Sequence, residues 1–171
     1  MSRADKFRKA LQDKIDNLSA AKNKVAKVGI VEHQHYDDNT PVAYVASIHE
    51  YGSPSNNIPP RPFMRPTVSE KKGEWAKIGK QILQNGGDVD SMLDMVGLRA
   101  SADIVETISK IDSPPLQEAT IKARNRKYKS KSQKSSIKPL VDTKRLISSI
   151  SHIVTDKGII VTGKQIGRAH V

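Results

Sequence analysis

The sequence predicts an α+β fold in which a small antiparallel sheet packs against two or three amphipathic helices. Apolar residues recur every three or four positions near 7–18, 75–83 and 89–111, which is typical of helices with one buried face. Runs of branched side chains near 25–31 and 150–161 are typical of strands. The length of 171 residues and a hydrophobic content of 36% suit one domain with a modest core.

The elements follow in order along the chain. The stripe Phe7, Leu11, Ile15 and Leu18 predicts an amphipathic helix, and a strand and a polar loop follow it. The apolar run 42–48 is compatible with a strand, a short helix, or one leading into the other. The longest helix is expected at 89–111, as the spine of the core. A short helix, a strand and a tight turn are expected at 146–158, with a returning strand at 159–161 that would form a C-terminal hairpin.

The segment 53–66 contains five prolines and is expected to form an extended arm. A helix should begin at Pro66 or Thr67, because Thr67 and Glu70 match a capping box. The arm offers apolar anchors and forked arginine donors, so it suits burial against a neighbouring subunit. A stiff linker packed on its own domain fits the same residues equally well. The residues expected at a subunit contact are Ile58, Pro59, Arg61, Pro62, Phe63, Met64 and Arg65.

The formal net charge of +11 is concentrated in one place. The segment 122–138 holds eight basic residues and no acid, which leaves 21 basic and 18 acidic residues, or +3, elsewhere. This segment is expected to be a flexible loop that contacts phosphates or an acidic partner. The residues assigned to that contact are Lys122, Arg124, Arg126, Lys127, Lys129 and Lys131. Recognition of a specific nucleotide sequence is disfavoured, since no recognition motif accompanies the charge.

Several kinds of chemistry lack support in the sequence. The absence of cysteine excludes disulfides and sulfur-ligated zinc, and the longest apolar runs are too short for a membrane span. His33 and His35 with the nearby aspartates form only a weak metal pattern. His49 and Glu50 would point to opposite sides of a strand, so they do not suggest an acid–base pair. We therefore expect no enzyme activity, no cofactor and no metal.

The last residues, 165–171, read QIGRAHV. Their back-translation contains what resembles a common sequencing adapter, so they are expected to be non-native. The natural protein would then continue beyond roughly Lys164, and the domain is assigned to 1–164. An ordinary polar tail is the alternative.

Three pieces of the sequence together resemble one protein family. The first piece, 42–66, holds VAYVASIHEYG at 42–52 and IPPRPFMRP at 58–66; the second is PPL with ATI at 114–121, and the third is KPLVDT at 138–143. This order resembles the tail-component and virion-morphogenesis proteins of lambda-like and Mu-like bacteriophages. One departure is Lys144, where the family usually places glycine.

The resemblance implies a non-enzymatic α+β subunit of the phage neck or tail end. Such a subunit completes the tail and supports head–tail joining by multimerisation, so its expected partners are further copies of itself, in a ring, and neighbouring neck or tail proteins. The expected location is the virion, and the host cytoplasm during assembly. A small basic protein that binds nucleic acid non-specifically is the alternative, and non-specific contact with DNA is compatible with both.

Overall fold

The computed structural model describes residues 2–31, 34–128, 138–141 and 144–158. These residues form six α-helices and a two-stranded antiparallel sheet, which confirms the α+β class. The helices are α1 (Arg3–Ala20), α2 (Val42–Tyr51), α3 (Met64–Gln84), α4 (Val89–Lys110), α5 (Glu118–Tyr128) and α6 (Arg145–Ser148), and the strands are β1 (Lys24–Ile30) and β2 (Ile150–Asp156).

The sheet joins the two ends of the described chain. β1 and β2 run antiparallel, with Lys24 opposite Asp156 and Ile30 opposite Ile150. Both strands lie where runs of branched side chains predicted them. The expected returning strand at 159–161 lies outside the described residues, as do the suspected adapter residues 165–171.

The core forms where α4 packs against α3 and against both strands. Ile104 and Ile108 of α4 are 1% and 0% exposed, and they cluster with Val42, Phe63 and further buried aliphatic side chains. Burying each such side chain contributes about 1.5–3 kcal/mol. The prediction that the helix at 89–111 is the spine of the core is confirmed.

The N-terminal helix α1 begins with a capping box. The Ser2 hydroxyl accepts a hydrogen bond from the Asp5 amide, and the Asp5 carboxylate accepts one from the Ser2 amide. Its apolar stripe is exposed, since Phe7 is 69% and Leu11 50% exposed. The side-chain oxygen of Asn17 accepts a hydrogen bond from the Val89 amide. The amphipathic helix is confirmed, but its apolar face is not buried against the sheet.

Three local predictions are corrected or decided. The apolar run 42–48 is helical and belongs to α2. Helix α3 begins at Met64, two to three residues before the expected start, and the Thr67 hydroxyl donates to the Phe63 carbonyl oxygen instead of capping the helix. The basic segment is not a loop at its start, because α5 includes residues 122–128. Residues 129–137 lie outside the described part of the chain.

Candidate functional site: the Glu50 clamp

The proline-rich segment 53–66 is folded against its own domain. Gly52 ends α2 with a φ of 78°, a conformation that favours glycine, and Ser53 then pairs with Ile58 around a single 3₁₀ turn. The Arg61 amide donates to the His49 carbonyl oxygen at 2.7 Å, so the chain returns alongside α2. Prolines fix the backbone of this tight return, as expected, but they do not produce an extended arm.

Glu50 closes this return by capping α3. Its carboxylate accepts hydrogen bonds from the backbone N–H groups of Phe63 at 2.8 Å, Met64 at 2.9 Å and Arg65 at 3.0 Å. The first N–H groups of a helix have no partner within the helix, so a distant carboxylate supplies what a local capping residue usually provides. The negative charge also lies at the positive end of the helix dipole. We call Glu50 and the residues it binds, 63–65, the Glu50 clamp.

Arg65 completes the clamp from the solvent side. Its Nε lies 3.0 Å from the Glu50 carboxylate and its Nη2 donates to the Glu50 carbonyl oxygen at 3.0 Å. The guanidinium carbon lies 4.8 Å from the centre of the Tyr51 ring, which is a cation–π contact. The Arg65 side chain remains 60% exposed, whereas the Glu50 side chain is only 6% exposed.

The clamp determines the charge state of Glu50. Burial by itself raises the pKa of this carboxyl, but the hydrogen bonds from Met64, Arg65 and Phe63 together outweigh burial and hold the pKa below its usual value. Glu50 is therefore ionised at neutral pH. It is engaged on both oxygens, so its role is structural.

Arg61 ties the returning segment to a distant part of the chain. It is 5% exposed, and its Nε and Nη2 donate to the carbonyl oxygens of Pro114 and Pro115 at 2.7 and 3.0 Å. Its neighbour His49 has a buried Nδ1 with no hydrogen-bond partner in the described structure. Burial, with the nearby Arg61 and Arg124, lowers the pKa of His49 to about 4, so this side chain is neutral at pH 7.

The residues predicted for a subunit contact divide into two groups. Phe63 is 1% and Arg61 5% exposed, so in this fold they pack within their own domain. Arg65 is exposed, and Ile58, Pro59, Pro62 and Met64 are half-buried. Of the two interpretations that the sequence left open, the structure favours a stiff segment packed on its own domain.

A shallow apolar groove adjoins the clamp. It has a volume of about 370 Å³ and runs between β1, α2 and the start of α3. Met64 and Arg65 line it on the α3 side, and Tyr51, which is 67% exposed, lines it at the end of α2. The proline-rich segment contributes Phe63, Met64 and Arg65 to this groove.

The predicted phosphate contacts are also divided. Arg124 is half-buried and donates to the Lys138 and Pro139 carbonyl oxygens at 2.8 and 3.0 Å, so it ties α5 to the next segment. Lys122 and Arg126 are exposed on α5, and Lys122 lies 3.5 Å from Glu118. The side chain of Lys127, and all of Lys129 and Lys131, lie outside what the structure describes.

No metal site emerges from the part of the chain that the structure describes, where no three histidine, aspartate or glutamate side chains converge. His33 of the weak metal pattern lies outside that part, and His35 pairs by its backbone with Pro41. Within the same residues, no helix is long and apolar enough to cross a membrane.

Sequence reasoning missed the role of Glu50. It placed His49 and Glu50 on a strand, whereas both lie in the last turn of α2. The residue that precedes α3 is Phe63, which has no polar side chain to serve as a local cap, but this is evident only once the helix is known to begin at Met64. A partner from elsewhere in the chain was therefore needed.

Comparison with known proteins adds no relative. No family model matches the chain, and no curated protein or solved structure matches it either.

Proposed function

We propose that this chain is a non-enzymatic structural subunit of a bacteriophage particle, acting at the neck or tail end to complete the tail and support head–tail joining. The observation that carries the proposal is the Glu50 clamp. The sequence pieces that resemble the phage family supply Glu50, Phe63 and Arg65, which the clamp joins. They also supply Arg61, whose amide donates to the His49 carbonyl oxygen and whose side chain donates to that of Pro114.

The proposed contact with neighbouring neck or tail proteins is the groove beside the clamp. Tyr51 and Arg65 are exposed there, next to the hydrogen bonds of the clamp, and aromatic and arginine side chains are the types that dominate protein interfaces. Assembly takes place in the host cytoplasm, and the protein then resides in the virion.

The test is complementation of a phage or prophage from which the gene has been removed. We expect the deletion to give separate heads and tails by electron microscopy, and the intact gene to restore joined particles. The variant Tyr51→Ser should fold normally yet reduce the yield of infectious particles, whereas Tyr44→Ser, at a tyrosine of α2 that is 59% exposed and does not line the groove, should reduce it less. Normal infectious particles in the absence of the gene would rule the proposal out.

The second candidate is a small basic protein that binds nucleic acid non-specifically. The observation that favours it is the pair of exposed cations Lys122 and Arg126, four residues apart on α5 and so on one face. Replacing either with alanine should then reduce the salt dependence of DNA binding by about one counterion. Arg124→Ala is the control, because that guanidinium is bound to carbonyl oxygens of its own chain.

A further inference from the structure

Helix α1 leaves most of its apolar face exposed in the described structure, although Leu18, at its C-terminal end, lines a hollow together with Leu83 and Val89. Phe7, Leu11, Ile15 and Leu18 are between 47% and 69% exposed, although they share one side of the helix. At 1.5 Å per residue, the 18 residues of α1 span about 27 Å. The stripe itself, from Phe7 to Leu18, covers about 17 Å of that length, and such an exposed stripe on a capped helix is typical of a surface that is covered by a partner.

The charges around the stripe restrict the partner. With about 100° between successive residues, Arg8 and Lys14 border the stripe on its two sides, about 60° from Leu11. Asp5, Asp13 and Asp16 lie on the opposite side of the helix, at about 120° or more. Two α1 helices packed face to face would bring cations together, so the charges favour a partner whose apolar surface is bordered by acids.

Helix α4 presents such a surface. Met95 and Leu98 are 50% and 53% exposed, and exposed Ala102 continues the same face. The neighbouring carboxylates Asp94 and Glu106 are 63% and 55% exposed, although each already has a partner in its own chain, His152 at 2.9 Å from Asp94 and Lys110 at 2.5 Å from Glu106. The cation that borders this patch, Arg99, is bound to buried Asp103 at 3.1 Å.

The charge of α4 is opposite to that of the chain as a whole. From its N-cap Asp88 to Lys110 it carries five acids and two bases, a net charge of −3, in a chain of +11. Helix α1 carries five bases and three acids, or +2. These two exposed apolar faces of the described structure are therefore opposite in net charge.

We infer that α1 of one copy docks on the α4 patch of a second copy, with its apolar stripe against Met95, Leu98 and Ala102. Arg8 and Lys14 then approach Asp94 and Glu106. This contact joins two different surfaces, so each copy keeps one free α1 and one free α4 patch, and a chain of such contacts closes into a ring or grows as a filament. The inference deepens the proposed multimeric role and rests on it.

The experiment measures self-association of the full chain by sedimentation velocity over a wide concentration range. Leu11→Asp and Leu98→Asp should each weaken association at least about tenfold, because each places an unpaired charge in the contact. Val68→Asp, at a similarly exposed position on α3, should associate as the unchanged protein does. Circular dichroism of each variant should be unchanged.

Mixing distinguishes this contact from its alternatives. The Leu11→Asp and Leu98→Asp variants retain complementary intact surfaces, so together they should form a one-to-one pair that grows no further. Because the chain has no cysteine, Arg8→Cys and Asp94→Cys variants provide a second readout, a disulfide that forms between the two and not within either alone.

Four results would overturn the docking. They are a monomer at every concentration, association of Leu98→Asp as strong as that of the unchanged protein, absence of the mixed pair, and α1-dependent binding to vesicles of anionic phospholipid by a protein that stays monomeric. In each case the complementation test of the phage role stands separately, so failure of this contact is distinguishable from failure of the proposed function.

Discussion

The proline-rich segment 53–66 buries its aromatic side chain, whereas helix α1 exposes its own. The chain has two phenylalanines: Phe63, in the first segment, is 1% exposed, and Phe7, in α1, is 69% exposed. The prolines and Glu50 hold the first segment against its own core, whereas α1 touches the rest of the described structure mainly near its C-terminal end. The pattern of apolar residues in the sequence therefore does not show which of them pack in the core of their own chain and which stay exposed.

The largest expected difference between the two segments is in stability. Phe63→Ala should lower the free energy of unfolding by about 3–5 kcal/mol, because it leaves a cavity beside Ile104 and Ile108. Phe7→Ala is the matched control and should change it by less than about 0.5 kcal/mol. Urea denaturation of dilute protein measures both. Equal losses of unfolding free energy in Phe63→Ala and Phe7→Ala would show that Phe7 is packed against the rest of its own chain.

The next effect comes from the cap. Glu50→Gln should cost about 2–3 kcal/mol, since an amide cannot accept all the hydrogen bonds that the buried carboxylate accepts. The pKa of Glu50 is lower in the folded protein than its ordinary 4.5, so its contribution is full above pH 4.5 and is lost as the pH falls through the folded value. The difference in unfolding free energy between the unchanged protein and Glu50→Gln should therefore shrink as the pH falls through the folded pKa of Glu50. Glu74→Gln, at an exposed carboxylate of α3, should show neither effect.

His49 should give the chain a second pH dependence at higher pH. Its pKa is about 4 in the fold and 6.5 ordinarily, so the unfolded chain binds the proton more readily. The free energy of unfolding should fall as the pH drops from about 6.5 through about 4. Replacement by Gln should flatten that slope in urea titrations across this range. An unchanged slope would show that His49 does not stay neutral in the fold.

The smallest effect belongs to Arg65. Its ion pair with Glu50 is partly exposed and its contact with Tyr51 lies at the surface, so Arg65→Ala should cost about 1 kcal/mol or less. If Arg65→Ala lowers the free energy of unfolding as much as Glu50→Gln does, the ion pair, and not the capping of backbone N–H groups, is what stabilises the segment.

The sequence was sufficient to predict the elements whose stability is local. The spine helix and both strands follow from the spacing of apolar residues, as does the amphipathic character of α1. The clamp could not be predicted, because Glu50 caps a helix 13 to 15 residues away and no local rule links them. The helical start of the basic segment was missed because charge density was taken as a sign of a loop, although lysine and arginine are good helix formers.

Hydrogen exchange of the full chain at two concentrations most directly tests the contrast between the proline-rich segment, which packs on its own core, and helix α1, which docks on a second copy. The amides of Phe63, Met64 and Arg65 should exchange only through global unfolding at both concentrations, because Glu50 accepts all three. The amides of α1 should exchange quickly in dilute protein and become protected in concentrated protein, as copies dock. Fast exchange at residues 63–65, or protection of α1 that does not depend on concentration, would contradict this account.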